Sequence, residues 1–261
     1  MSGMRPARIL INKILGIAGL EMHRVGEGAT MFSSLLRARS GGLNPRTVID
    51  VGAASGTEPL LDAFPHSRFL LIEPLEEFRN ELEKVAARVD ARVVIAAAAA
   101  RSGQQVINVH PDLVGSSFFI EDEASNVNGV ARAVPTVTLD ELCRRHQCAP
   151  PYLIKIDTQG SELDVLRGAE QALQSTELVI LEVSLFEFFK GGPQIQECVS
   201  FMKHSGFVVW DLFDLHYRPL DGALAQVDVA FVPEHHALRK VHSYATREQR
   251  ERLNQSLRGR S

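Results

Sequence analysis

Apolar and polar positions alternate between short, dense apolar runs and amphipathic segments. Residues 47–52 (TVIDVG), 68–73 (RFLLIE) and 92–97 (RVVIAA) are near-continuous aliphatic runs, the pattern of strands buried on both faces. Between them, residues 57–64 read as a short helix. Residues 74–89 carry Leu75, Phe78, Leu82 and Val85 at helical spacing, with Pro74 at the first helical position. The segment therefore reads β-α-β-α-β, which predicts a parallel sheet covered by helices. Regular order returns with a strand at 152–157 (YLIKID) and a helix from Ser161 through ELDVLRGAEQAL. A strand at 177–183 (ELVILEV), a helix at 194–204 and strands at 207–212 (FVVWDL) and 226–232 (QVDVAFV) follow. Residues 213–225, which separate the last two strands, contain Pro219 and Asp221-Gly222 and show no helical periodicity. A hairpin-like return is expected there, with the last strand antiparallel.

The middle is less regular. Residues 104–110 and 134–137 are short β-like pieces around GSSFF and the polar EDEASNVNG, read as a β-rich excursion with a mobile loop. Thr138 is placed to cap LDELCRRH, with Asp140 and Glu141 in the first turn, where the helix dipole favours acids. The expected organisation is an N-terminal helical extension over 1–45, one α/β domain over 46–233, and a basic tail or helix over 234–261. The start, MRPARILINKILGIAGLEMHRV, looks briefly like a signal peptide, but Asn12 and Lys13 interrupt its apolar run. It reads as an amphipathic helix that packs on the domain or joins copies of the chain into a homo-oligomer.

Composition adds limits. The net charge of −4 gives no positive field for a phosphate backbone, so nucleic acid is not expected as a partner. Three cysteines (Cys143, Cys148, Cys198) without a CxxC pair fit reduced thiols in a cytoplasmic protein better than a disulfide framework or a zinc site. No run approaches the roughly 18 apolar residues of a spanning helix.

The candidate chemistry begins at Asp50-Val51-Gly52-Ala53-Ala54-Ser55-Gly56. A strand, a small-residue loop, a helix and an acid ending the next strand make a nucleotide-binding half. Glu73 follows Gly52 by about 20 residues, the spacing that lets a carboxylate accept the hydroxyls of a ribose. A dinucleotide fingerprint needs a second glycine where Ala54 stands. Asp50 lies where it would repel phosphate and suit a cationic or zwitterionic ligand. S-adenosyl-L-methionine has that chemistry: a ribose, an amino-acid end and a sulfonium, without phosphate. Asp50 is the candidate anchor for its amino group, directly or through water. The alternatives are an NAD-linked oxidoreductase and a cofactor-binding scaffold without catalysis.

DVGAASG, IEP, VPTVTLDEL, LIKIDTQGSELDVLRGA, VILEV and VDVAFV together resemble the FkbM-type S-adenosylmethionine-dependent methyltransferases over residues 46–233. The resemblance implies a class I methyltransferase, Rossmann-like three-layer α/β sandwich with a seven-stranded, mostly parallel sheet and a reversed last strand. It also implies methyl transfer to oxygen, on a sugar or natural-product small molecule. The chain departs from the family at Gln159, where Glu is common. It departs again in the Ala96–Ala100 run, where a polar residue is common, so backbone near Ala97 and Ala98 is the expected contact for adenine.

Ligands of open α/β sheets sit outside the carboxyl ends of the strands. Asp50, Glu73, Ala97, Asp157 and Glu182 all qualify. The expected cofactor wall is Asp50, Gly52, Ala53, Ser55, Gly56, Glu73, Ala97 and Ala98. Asp157 is a candidate both for the cofactor's amino-acid end and for the base or acceptor anchor. Glu182 is placed on the acceptor side, and His216 in a loop over the pocket mouth. Lys155 and Asp157 share a face of one strand by its period of two. Two carboxylates, Asp157 and Glu182, are too few to predict a metal.

Overall fold

The computed structural model describes residues 29–123 and 126–258. The amphipathic N-terminal segment through Val25 lies outside them. The chain runs α1 (Met31–Ser40), β1 (Thr47–Val51), α2 (Glu58–Ala63), β2 (Arg68–Glu73), α3 (Arg79–Ala86), β3 (Ala91–Ile95), β4 (Ala97–Ala98), β5 (Gly103–Val109) and β6 (Val130–Val137). It continues with α4 (Leu139–Arg145), β7 (Tyr152–Ile156), α5 (Glu162–Arg167), α6 (Glu170–Leu173), β8 (Thr176–Ser184), α7 (Ile195–His204), β9 (Phe207–Tyr217), β10 (Leu224–Pro233) and α8 (Arg247–Arg258).

Seven strands form one sheet in the order β3-β2-β1-β7-β8-β10-β9. The β1, β2, β3, β7 and β8 pairings are parallel. β10 runs antiparallel to both neighbours, as the short return predicts. Strand alternation explains the three layers. Ile49, Ile72, Ile154 and Leu181 face one way and pack with Leu139, Leu166 and Met202 of α4, α5 and α7. Val48, Leu71, Leu153 and Ile180 face the other and pack with Leu35, Leu60 and Leu82 of α1, α2 and α3. Both faces are covered, so the central strands carry unbroken apolar runs rather than alternation.

Four expectations are corrected. Pro74 does not open a helix: Leu75 stays extended, residues 76–78 make a single 3₁₀ turn, and α3 starts at Arg79. The cause is Glu73, whose Oε1 accepts the Leu75 N–H at 2.9 Å. The third strand ends at Ile95, and Ala97–Ala98 instead joins β6 in a separate three-stranded sheet. The helix expected from Ser161 is broken into α5 and α6. Gly168 at the break passes so near Ala99 that a Cβ would stand 2.2 Å from its carbonyl oxygen. Finally, β9 and β10 extend further toward each other, so His216 sits on a strand paired with Gln226, not in a loop.

Candidate active site

The carboxyl ends of β1, β2 and β7 open into a cleft of roughly 870 Å³, counting its open mouth. Its floor is the loop after β1. Ala54 and Gly56 there take left-handed conformations, φ 44° and 99°, which turn the loop's backbone along the cleft. Glu73 is buried beside it. One carboxylate oxygen accepts the Ala54 N–H at 3.0 Å, the other that of Leu75. Burial pushes the Glu73 carboxyl up to about 7, against the pull of those two donors. Each oxygen keeps a second lone pair for a ligand hydroxyl. The opposite wall comes from the excursion: Ile107, Leu113, Val114, Ser116 and Phe118, with Ala97 and Ala98 between.

Gly52 has a different task from the one its motif suggests. A Cβ on it would stand 1.7 Å from the Asp157 carbonyl oxygen. The glycine admits the neighbouring strand end, and only secondarily the ligand. Asp50 does not line the cleft. Its side chain is 1% exposed and lies behind Lys155, with 3.7 Å between Oδ1 and Nζ. Burial raises its pKa and Lys155 offsets part of that rise.

Lys155 is itself buried and donates to Asp157 Oδ2 at 3.1 Å. Desolvation alone would lower its pKa, but the charges of Asp157 and Asp50 outweigh this and hold it above the ordinary lysine value. The lysine stays charged.

Register explains how the other acids meet. Ile156 on β7 pairs with Leu181 on β8, and the next residue on each strand is acidic, Asp157 and Glu182. Glu182 in turn pairs with Asp228 on β10. Three carboxylates thus stand in a row across three adjacent strands. Gln159, in a left-handed turn with φ 52°, donates its amide to Asp157 Oδ1 and to Glu182 Oε2, both at 2.9 Å. The space a bridging cation would need between those acids is filled by an amide. Among the described residues no group of three or more His, Cys, Asp or Glu side chains is arranged to hold a metal. Burial and the charges of Asp157 and Asp228 push Glu182 up to about 8. Burial and Asp157 push Asp228 up to about 7. The buried Glu162 holds the turn itself, accepting the N–H groups of Thr158 and Gly160.

These acids line a second, wider cavity, with Ala29, Met31, Thr57, Glu58, Asp214 and His216 around its mouth. Both cavities are lined by Gly56, Thr57, Lys155 and Asp157. Of the residues expected from sequence, Gly52, Ala53, Ser55, Glu73, Ala97 and Ala98 line the first cavity, Glu182 and His216 the second, and Gly56 and Asp157 both. Asp228 and the wall from Ile107 to Phe118 were not foreseen. Asp228 had only its place in an apolar strand to announce it, and GSSFF read as loop.

The first cavity fits S-adenosyl-L-methionine. Its backbone-rich floor and buried acid suit a ribose. Among the described residues its one lining cation, Lys155, is committed to carboxylates, so no described side chain stands ready for a pyrophosphate. With the reversed seventh strand, the fold and site define a class I S-adenosylmethionine-dependent methyltransferase. More narrowly, the methyltransferase FkbM domain model matches residues 50–209, and the chain belongs to that family. Fifty residues are 40% identical to hexuronic acid methyltransferase AglP of Haloferax volcanii, covering 19% of this chain and 21% of that protein. The match thus spans about a fifth of that relative's length. Among solved structures, magnesium protoporphyrin IX methyltransferase (ChlM) of Synechocystis PCC 6803 is 9% identical, with 89% of this chain and 85% of that one covered at a TM-score of 0.44. Fibrillarin of Aeropyrum pernix is 14% identical, with 78% and 76% covered, also at 0.44. Neither likeness bears on the acceptor. Among the described residues no helix is long and apolar enough to cross a membrane.

Proposed function

We propose that this chain methylates a hydroxyl oxygen of a sugar-like or natural-product small molecule, in the cytoplasm. The observation that carries the reading is that two cavities meet at Asp157: one fits the cofactor, the other is open and lined by hydrogen-bonding acids. The printed name of the AglP relative, a hexuronic acid methyltransferase, supports a saccharide acceptor.

S-adenosyl-L-methionine supplies, when bound, a methyl carbon activated by its sulfonium. The chain's own part is alignment, exclusion of water and proton removal. Asp157 is the carboxylate at the junction. Lys155 and Gln159 each hold one of its oxygens, so its orientation is fixed before an acceptor arrives. In this reading Asp157 orients the acceptor hydroxyl and takes its proton, while Glu182 and Asp228 hold the rest of the acceptor. Glu73 holds the cofactor's ribose, and Ala97, Ala98 and the apolar wall flank its adenine. Lys155 replaces Asp50 as the cleft's direct contact, with Asp50 behind it. His216, exposed at the mouth, contacts the acceptor's outer part.

A labelled-methyl screen against sugars, glycosylated lipids and hydroxylated metabolites tests this. Transfer to oxygen supports it. Transfer to nitrogen or carbon, or to none of the acceptors by a protein that binds cofactor, overturns it.

A further inference from the structure

The acceptor cavity is unusual in the sign of its charge and in one lining carboxylate that no described donor holds. Among the described residues its lining holds five carboxylates (Glu58, Asp157, Glu182, Asp214, Asp228), one lysine, Lys155, and one histidine, His216. Four of the five have donors. Glu58 is paired with Arg88. Asp157 accepts from Lys155 and Gln159. Glu182 accepts from Gln159 and Gln226. Asp214 accepts the Met31 N–H. Asp228 is different. It is 6% exposed, it lines the cavity, and no donor among the described residues reaches its carboxylate. Its oxygens are not sealed in the core: among the described residues the sealed polar atoms without a partner are Asp50 Oδ1 and Ser161 Oγ. Asp228 faces the cavity with its accepting capacity open to a ligand.

Charge decides what the partner is. A neutral hydroxyl could donate to Asp228, but it would leave unrelieved the repulsion among Asp157, Glu182 and Asp228 that the row of acids builds in. Like charges in a partly desolvated site raise one another's cost. A protonated amine donates up to three hydrogen bonds and cancels a charge at the same time. A uronate would add a further carboxylate to this row. We propose that the acceptor bears a protonated amine near the hydroxyl to be methylated, as an amino sugar does, and that Asp228 binds that amine with Glu182 beside it. The inference rests on the oxygen-methylation reading above. It divides the row of acids: Asp157 handles the hydroxyl at the junction, and Asp228 fixes the acceptor by its charge.

The test is binding, with the protein saturated by S-adenosylhomocysteine and titrated with glucosamine, N-acetylglucosamine, glucose and glucuronate at neutral pH. Acetylation removes the amine's charge and leaves most of the shape. Glucosamine is expected to bind about ten-fold or more tighter than its acetylated or neutral partner, the size of one charge-assisted hydrogen bond, with glucuronate weakest. Asp228→Asn is expected to erase the preference while cofactor binding persists. Equal binding of glucosamine and N-acetylglucosamine, tighter binding of glucuronate, or no binding of glucosamine overturns the proposal. So does an Asp228→Asn protein that keeps the preference. The comparison among probes uses the unaltered chain, so it stands even where the variant fails to fold. Methyl transfer to oxygen on a neutral acceptor in the labelled screen would overturn this inference and leave the proposed reaction intact. Absence of all transfer would remove the reaction without altering the binding order.

Discussion

The two cavities are built on opposite principles. The cofactor side is a backbone surface: a left-handed loop, two alanines and one acid whose oxygens already accept two N–H groups. The acceptor side is a side-chain surface, with acids from β7, β8 and β10 aligned only by strand register. The first meets its ligand with Glu73 already held by two N–H groups, although Asp50 Oδ1 behind it has no hydrogen-bond donor. The second presents Asp228 to the cavity with no donor among the described residues, in a row of acids whose mutual repulsion and burial raise Glu182 to about 8 and Asp228 to about 7. A site that binds a fixed cofactor can be preorganised by backbone. A site that discriminates among acceptors must spend its specificity in side chains, and some of them are left incomplete.

Perturbing the seam between the two halves has the largest expected effect. Gly52→Val would drive a Cβ to 1.7 Å from the Asp157 carbonyl oxygen, in a backbone conformation that β-branched residues avoid. The loss of stability is expected at about 3 kcal/mol or more, read as a fall in melting temperature or as insoluble protein. A variant that folds normally and loses only cofactor would show the glycine belongs to the ligand wall rather than to the seam. Asp157→Asn comes next. Turnover is expected to drop about 10²–10⁴-fold, the range for removing a general base, with cofactor affinity kept. A fall in affinity with turnover preserved at saturating cofactor would move Asp157 wholly to the cofactor side.

The same contrast governs what could be read from sequence. The loop after β1, Glu73 and the reversed last strand were legible because each is encoded within a few neighbouring residues or by a connection length. Asp157 and Glu182 were legible because each lies near the carboxyl end of a strand, Asp157 just after β7 and Glu182 two residues before the end of β8. Asp228 was not, since QVDVAFV alternates like any half-buried strand and the pairing that sets Asp228 opposite Glu182 is long-range. Gln159 looked like a departure from the family motif, and its role as donor to two acids emerges only when β7 and β8 lie side by side. Asp50 is the opposite case. A local motif put it in the ligand wall, while Lys155, its register partner on β7, takes that place.

On the cofactor side a smaller effect is expected from Glu73→Ala. It removes the acceptor for a ribose hydroxyl and leaves the Ala54 and Leu75 N–H groups without their partner. Binding of S-adenosyl-L-methionine should weaken by about 1.5–3 kcal/mol, measured by titration calorimetry. Unchanged affinity would mean that Glu73 serves only to shape the loop, and the backbone wall would then hold the cofactor without it.

The smallest effect concerns pH, and it separates the halves by their strain. Asp228 is raised to about 7 by burial and by Asp157, against an ordinary aspartate near 4. Between those values the folded chain keeps a proton that the unfolded chain has lost. Folding therefore draws less stability from this group as pH rises, and its contribution is gone once pH passes its folded pKa. Asp228→Asn keeps the shape and removes the titration. Relative to the unaltered protein, the variant should gain on the order of a few degrees in melting temperature at about pH 8 and little at about pH 5. Parallel curves would show that Asp228 finds a donor in solution, and the acceptor side would then be as satisfied as the cofactor side. A gain at pH 8 that vanishes when glucosamine is added would tie the strain to the ligand that relieves it.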